Sequence, residues 1–260
     1  MRFSAKWALI GAGWILSPGA LYAETPGPAI APQPPVAIEA SPTSAQRANP
    51  VGAPTRTPIR EIKPLDLSGV GNLEQLLAKG WQVKNGEPTR WSIKEGALEM
   101  VSQGDSVILG APLEIADPKQ YPVLAFELKI EAVPKGADPS RKETDDGAFQ
   151  LYLLFDKDTA LMGLLPGQTL CYLWSSGRPA KGESLTSTHS DNVKIISIGG
   201  GQPESGEWMN IEIDYLADYR RLFGADEIPA LKAISLQADS DNVQSESRAR
   251  VRNIRLAAYP

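Results

Sequence analysis

From about residue 80 onward, apolar side chains recur with a period of two, the repeat of a strand that buries one face. The stretch 122–132 shows it most cleanly: Leu124, Phe126, Leu128 and Ile130 alternate with Val123, Ala125, Glu127 and Lys129, one apolar face against one increasingly charged. That pattern predicts a half-buried strand. The runs 149–155 and 170–174 are predominantly apolar and rich in aromatics, too short for buried helices, and predict two central strands. Shorter runs at 80–85, 90–94, 97–102 and 106–109 are parted by Asn85-Gly86, Glu95-Gly96 and Gln103-Gly104-Asp105, the chemistry of hairpin turns. They predict an antiparallel meander, and 193–198, 208–214, 230–237 and 250–257 add four more strands. Two stretches read helical. Residues 73–79 have Asn72 as N-cap and Gly80 as stop; in 215–223, Leu216, Tyr219, Arg220 and Phe223 share a face ahead of a Gly224 C-cap. The segments 133–146 and 177–192 dissolve into Gly, Pro, Ser, Thr and charge, and predict two long loops. Ten or eleven strands with two short helices make an all-β chain, an antiparallel β-sandwich of jelly-roll type formed by a single domain over 65–260.

Upstream of the strands the pattern changes. Arg2 and Lys6 precede an apolar run from Trp7 to Leu16 and a small-residue exit ending at Ala23, the form of a secretory signal peptide over 1–23. Ser17-Pro18-Gly19 interrupts the run well short of the roughly 20 apolar residues that span a bilayer. The mature protein is therefore expected in the periplasm or outside the cell, without a transmembrane anchor. Residues 24–64 are rich in Pro, Ala, Ser and Thr and nearly free of aromatics, which predicts a disordered or polyproline linker. About 40 residues at about 3.1 Å each would reach on the order of 120 Å.

Charge and the rarer residues narrow the function classes. A formal net charge of −5 repels phosphate backbones and anionic head groups, so a nucleic-acid partner is not expected. The single cysteine, Cys171, sits inside an apolar run and reads as a buried core residue. With one His and one Cys in the chain, a zinc site of those ligands is excluded, and any Ser-His-Asp machinery would have to run through His189, which lies in a polar loop.

Carboxylates and aromatics remain. Glu212 and Asp214 share one face of a strand and resemble the E-x-D-x-x-E strand of laminarinase-like glycoside hydrolases. Ala217 stands where the second catalytic Glu would be, and a retaining mechanism needs two carboxylates across the bond. Asp145, Asp146, Asp239 and Asp241 fall at strand ends and are candidate ligands for a structural calcium, the one cofactor expected; Arg220, between the two acid pairs in sequence, is their alternative partner. The 239–242 stretch is not an EF-hand, because Gln244 and Arg250 occupy the positions that require Gly and Glu. Tyr172 and Trp174 share a strand face and lead into Ser175, Ser176 and Arg178, a composition suited to stacking a sugar ring beside fixed polar groups. Tyr172, Trp174, Ser176, Arg178 and Arg220 are therefore the candidate ligand-binding residues.

Several spaced pieces resemble a bacterial family catalogued as domain of unknown function 3047. They are Asp145-Asp146 ahead of Tyr152-Leu-Leu-Phe155-Asp156, Cys171-Tyr-Leu-Trp174, Gly206-Glu-Trp208, Asp218-Tyr-Arg220-Arg221-Leu-Phe223-Gly224, and Ile234 through Asp239-Ser-Asp241-Asn242. The resemblance runs from about 106 to 256. It implies an exported protein with a sandwich similar to concanavalin-like folds and carbohydrate-binding modules, and names no activity. The chain departs from that family where it has Gln150 in place of a frequent Arg, and Arg252-Asn253-Ile254 in place of an aromatic-Gly-Asp pattern.

The expectation is an exported, non-catalytic binding module for a glycan or cell-envelope polymer. Its alternatives are a polysaccharide-active enzyme using carboxylates in the sandwich groove, and a structural or assembly protein of the envelope. The sequence sets neither the ligand nor the oligomeric state.

Overall fold

A computed structural model of the chain describes residues 60–156, 167–203 and 206–259. The signal peptide expected over 1–23, and the Pro-rich linker up to residue 59, lie outside the described residues. In chain order the first elements are β1 (Glu61–Ile62), α1 (Leu73–Ala78), β2 (Gln82–Asn85), β3 (Ser92–Lys94), β4 (Ala97–Gln103), β5 (Ser106–Ile115) and β6 (Val123–Ala132). There follow β7 (Gly147–Phe155), β8 (Thr169–Ser175), β9 (Ser184–Ser187), β10 (Ser190–Gly200) and β11 (Met209–Asp214). The chain closes with α2 (Tyr215–Phe223), β12 (Leu231–Asp239) and β13 (Glu246–Ala257). Among the described residues no helix is long and apolar enough to cross a membrane.

The strands form the two sheets of a jelly-roll sandwich. One is six-stranded, ordered β11-β6-β13-β4-β3 with β1 also on β13; the other is seven-stranded, ordered β2-β5-β12-β7-β8-β10-β9. On β6 the predicted alternation holds, with Leu124, Phe126, Leu128 and Ile130 all in the core between the sheets. The facing sheet contributes Phe149, Leu151, Leu153 and Phe155 from β7, and Phe126 meets Phe149 with ring centroids 5.6 Å apart. Each such side chain contributes about 1.5–3 kcal/mol by leaving water. β13 keeps its apolar residues inward only by a bulge: Ala249 and Val251 point to the core, then Ile254 and Leu256, a change of parity. The register shifts between Arg252 and Arg255, and Asn253 takes a left-handed φ of 55°.

Asn72 and Gly224 cap their helices as the sequence predicts, and Asp214 adds an N-cap to α2 that the sequence reading did not include. Asn72 Oδ1 accepts from Gln75 N at 2.9 Å, and Asp214 Oδ1 accepts from Ala217 N at 2.9 Å. Gly224 ends α2 at φ 63°, its N–H donating to Arg220 O at 2.9 Å.

Three features were not in the pattern. β1 joins the six-stranded sheet from within the Pro-rich stretch, pairing Glu61 and Ile62 with Ala257 and Leu256. β9 forms within the predicted 177–192 loop; four residues of Ser, Leu, Thr and Ser carry no alternation, and its order comes from the ladder to β10. The β8–β10 ladder is parallel while the other ladders are antiparallel. A parallel pair needs a crossover of a dozen or more residues, and the Ser-, Gly- and Pro-rich stretch with β9 supplies it.

Candidate functional site

Alternation on β7 sends Gln150, Tyr152 and Leu154 away from the core, to the far face of the seven-stranded sheet. There a second apolar cluster gathers Ile108, Tyr152, Cys171, Leu173, Val193 and Ile195, with Leu154 and Leu185 packed at its margin. A chain of buried amides and hydroxyls, ending at the Asp239 carboxylate, crosses the same face. The Tyr152 hydroxyl stands between two amides, donating to Gln237 Oε1 at 2.6 Å and touching Gln150. Gln237 Nε2 in turn donates to Ser106 Oγ at 2.9 Å and Asp239 Oδ2 at 2.8 Å. Burial pushes the Tyr152 hydroxyl well above its ordinary pKa, with the Cys171, Asp145 and Asp239 charges adding to it.

The outer face of the six-stranded sheet is built differently. It carries ion pairs, Arg252 with Glu127 at 2.6 Å and Arg250 with Glu95 at 3.0 Å, and Trp208 lies under the Arg252 guanidinium, 4.2 Å from ring centroid to Cζ. That is how a sheet ordinarily meets water. The contrast marks the far face of the seven-stranded sheet, amides, hydroxyls and aliphatics at its centre, as the unusual one.

A pocket of about 440 Å³ reaches this face through Leu185, walled by Asp138 and Ser140 on one side and by Gly177, Arg178, Pro179, Ala180 and Glu183 on the other. The walls are tied together: Ser176 Oγ donates to Pro134 O, and Gly177 N donates to Ser175 Oγ at 3.2 Å. Asp138 Oδ1 is fixed by Ser140 N at 3.0 Å and Ser140 Oγ at 2.6 Å. Those bonds hold its carboxyl below the ordinary range against some burial, with Arg141 and Arg178 helping, so Asp138 is ionised at neutral pH. Glu183 Oε2 accepts Ala180 N at 2.8 Å.

The predicted acids sit at one end of the same sheet. One oxygen from each of Asp146, Asp239 and Asp241 lies within 4.8 Å of the others. Asp145 is apart from that trio and faces His189, its Oδ2 3.1 Å from Nε2. Oxygens so close are the donor type a hard divalent cation takes, though calcium wants six to eight of them. Asp146 already accepts N–H groups from Asn242 at 3.1 Å and Val243 at 2.7 Å. Asp146 thus acts as a clasp that holds the turn after β12 against the start of β7.

The ligand-binding candidates divide. Ser176 and Arg178 lie at the pocket, Arg178 as one of its walls. Tyr172 does not offer a stacking surface: it is fully buried between the sheets, its hydroxyl donating to Asp218 Oδ2 at 3.2 Å. Trp174 is also inside, 8% exposed, its indole N–H donating to Gly201 O at 2.9 Å. Both share the core-facing parity of β8, so the face they share is the interior one. Arg220 is exposed on α2, which packs at the Phe155 end of β7, with Phe155 and Tyr219 centroids 4.6 Å apart. The acids are at the Gly147 end, so Arg220 cannot serve them; proximity in sequence did not become proximity in space. Glu212 and Asp214 lie on β11 at the edge of the six-stranded sheet, and Asp214 is engaged as the α2 cap and by the Tyr259 hydroxyl. Sequence reasoning did not place Gln150, Gln237, Asp138 or Leu185 among the site residues, although Gln150 stood out as a departure from the family pattern. The first two were legible, since each interrupts an otherwise apolar strand on the face opposite the core.

A family described as "Protein of unknown function (DUF3047)" matches residues 79–255. No curated protein matches the chain. Among solved structures, the family 11 carbohydrate-binding module of the cellulosomal cellulase Lic26A-Cel5E of Clostridium thermocellum is 14% identical, covering 78% of this chain and 97% of its own, with a TM-score of 0.42. The xyloglucanase domain of NopAA from Sinorhizobium fredii is 10% identical over 68% of this chain and 92% of its own, with a TM-score of 0.38. The catalytic domain of Humicola grisea Cel12A is 8% identical over 68% and 92%, again with a TM-score of 0.38.

Proposed function

Because the chain belongs to the family described as "Protein of unknown function (DUF3047)", a description that assigns no activity, we propose a function from the site itself: an exported, non-catalytic module that binds a neutral glycan of the cell envelope or its surroundings. The observation that carries this reading is the pocket over Leu185, where Asp138, Arg178, Pro179 and Glu183 line a space of about 440 Å³ above the buried far face of the seven-stranded sheet, on a protein whose other sheet face is laced with ion pairs. A sugar ring has the matching chemistry. Its C–H face suits Leu185 and Pro179, and its hydroxyls suit the carboxylates of Asp138 and Glu183 and the Arg178 guanidinium. Such a ligand gives up much hydration, so affinity in the micromolar to millimolar range is expected.

Export rests on the signal peptide read from residues 1–23. The non-catalytic part rests on how the acids are used. Glycoside hydrolysis requires two carboxyl groups free to act on either side of the bond, whereas Asp146 holds backbone N–H groups and Asp214 caps a helix. The test is a glycan array with the full chain, run beside a reducing-sugar assay on each glycan bound. Binding without release of reducing ends is expected. Release overturns the non-catalytic claim, and binding to no glycan overturns the reading.

A further inference from the structure

We propose that the pocket between 138–140 and 177–185 recognises the vicinal diol of a single sugar unit, with Asp138 accepting from one hydroxyl while Arg178 donates to its neighbour and Leu185 underlies the ring. The inference rests on the glycan reading above and specifies the part of the sugar that is bound. Its basis is the way the pocket is built. Both Ser140 bonds fall on Oδ1 of Asp138, so the carboxylate is held in one orientation with Oδ2 left to a ligand. Arg178 lines the facing wall of the same pocket. The two walls are joined by the Ser176 to Pro134 bond, so the segments that carry acceptor and donor are tied to each other.

Ligand charge is constrained by the same residues. The lining sets two carboxylates, Asp138 and Glu183, against one guanidinium, Arg178, which disfavours an anion. A neutral group that both donates and accepts satisfies an ionised acceptor and an ionised donor together, and two adjacent hydroxyls do this with each hydroxyl keeping a partner. A volume of about 440 Å³ is at the small end of ligand pockets, suited to one or two sugar rings rather than a long polymer stretch. Leu185 belongs to the margin of the apolar cluster, which gives the floor a firm, non-polar surface for a C–H face.

Periodate provides the test, because it cleaves vicinal diols and leaves isolated hydroxyls intact. The probes are soluble mannan, xylan and glucomannan, native and after periodate oxidation with borohydride reduction, together with a linear 1,3-linked glucan whose internal units have no vicinal diol, and chitosan as a cationic control. Binding of the full chain is measured by titration calorimetry. The expected result is binding to at least one of the first three that falls about tenfold or more after periodate, the loss of one charge-assisted hydrogen bond or more. Asp138→Asn and Arg178→Gln should each weaken that binding about tenfold with an unchanged thermal melt. Equal binding before and after periodate, or tighter binding to the 1,3-glucan, overturns the diol assignment while leaving glycan binding in place. Binding to chitosan alone overturns the neutral ligand, and binding to none of the probes overturns the glycan reading and the diol assignment with it.

Discussion

The Trp174 indole fills the space that a side chain at Gly199 would occupy. The two residues are register partners on β8 and β10, and a methyl built on Gly199 would stand 2.4 Å from Cζ3 and 2.7 Å from Cη2 of the indole. Gly199→Ala must therefore displace the ring, lose its bond to Gly201 O, or spread the parallel ladder. A destabilisation of about 1–3 kcal/mol is expected, read as a lowered urea midpoint with a shift in tryptophan emission. A wild-type midpoint in that variant would mean the indole has room to move.

Cys171 is fully enclosed, and burial pushes its thiol far above the ordinary range, only partly offset by the Tyr152 hydroxyl. The thiolate that reacts with disulfide reagents is therefore scarce and unreachable. The native protein should not react with Ellman's reagent over hours, whereas one thiol per chain should titrate in denaturant. Rapid native labelling would contradict the burial.

Glu127 links the bulge of β13 to β6. Its carboxylate accepts from Asn253 Nδ2 at 2.5 Å and Arg252 Nε at 2.7 Å, and these bonds, Asn253 first, outweigh burial and hold its pKa below the ordinary glutamate value. A depressed folded pKa gives stability that is complete above the unfolded value, about 4.3, and lost as pH falls through the folded one. Glu127→Gln should lower stability by about 1 kcal/mol or less at pH 6. The gap from wild type should close as the pH is taken below about 4.3. Urea midpoints from pH 3 to 6 would show it; a gap that widens on acidification would refute the sign.

The Asp146 clasp is testable in the same way. Asp146→Ala removes the acceptor for the Asn242 and Val243 N–H groups and is expected to cost about 1–3 kcal/mol. Asp146→Asn keeps one carbonyl oxygen and should recover part of that. Hydrogen exchange at Asn242 and Val243 should quicken in the alanine variant before the rest of the sheet responds. Unchanged exchange there would mean that other contacts hold the turn.

The sandwich was legible because its strands alternate. Leu124 to Ile130 predicted β6 and its inward face, and Asn72 and Gly224 marked helix ends through local chemistry that no tertiary contact overrides. What escaped was non-local. β9 has no pattern of its own, and the β8–β10 direction depends on where the crossover lands. For the site, the composition around Trp174 was read correctly as aromatic beside polar, but the strand parity that carries Trp174 and Tyr172 inward also carries Cys171 and Leu173 outward. The polar residues on that outward face come from β7 and β12, which only pairing brings together. The acid trio was legible as a group, while the pairing of Asp145 with His189 was not, since the two lie on different loops.

The sheet orders place β12 between β5 and β7, and β13 between β4 and β6. Each sheet thus takes an interior strand from the last part of the chain, residues 231–257. A polypeptide emerging from the ribosome N-terminus first can pair β3 with β4 or β7 with β8, but it cannot join the halves of either sheet until residues 231–257 have emerged. Up to that moment the nascent chain holds only fragments with open edges, and few contacts stand in the way of threading it through a narrow channel.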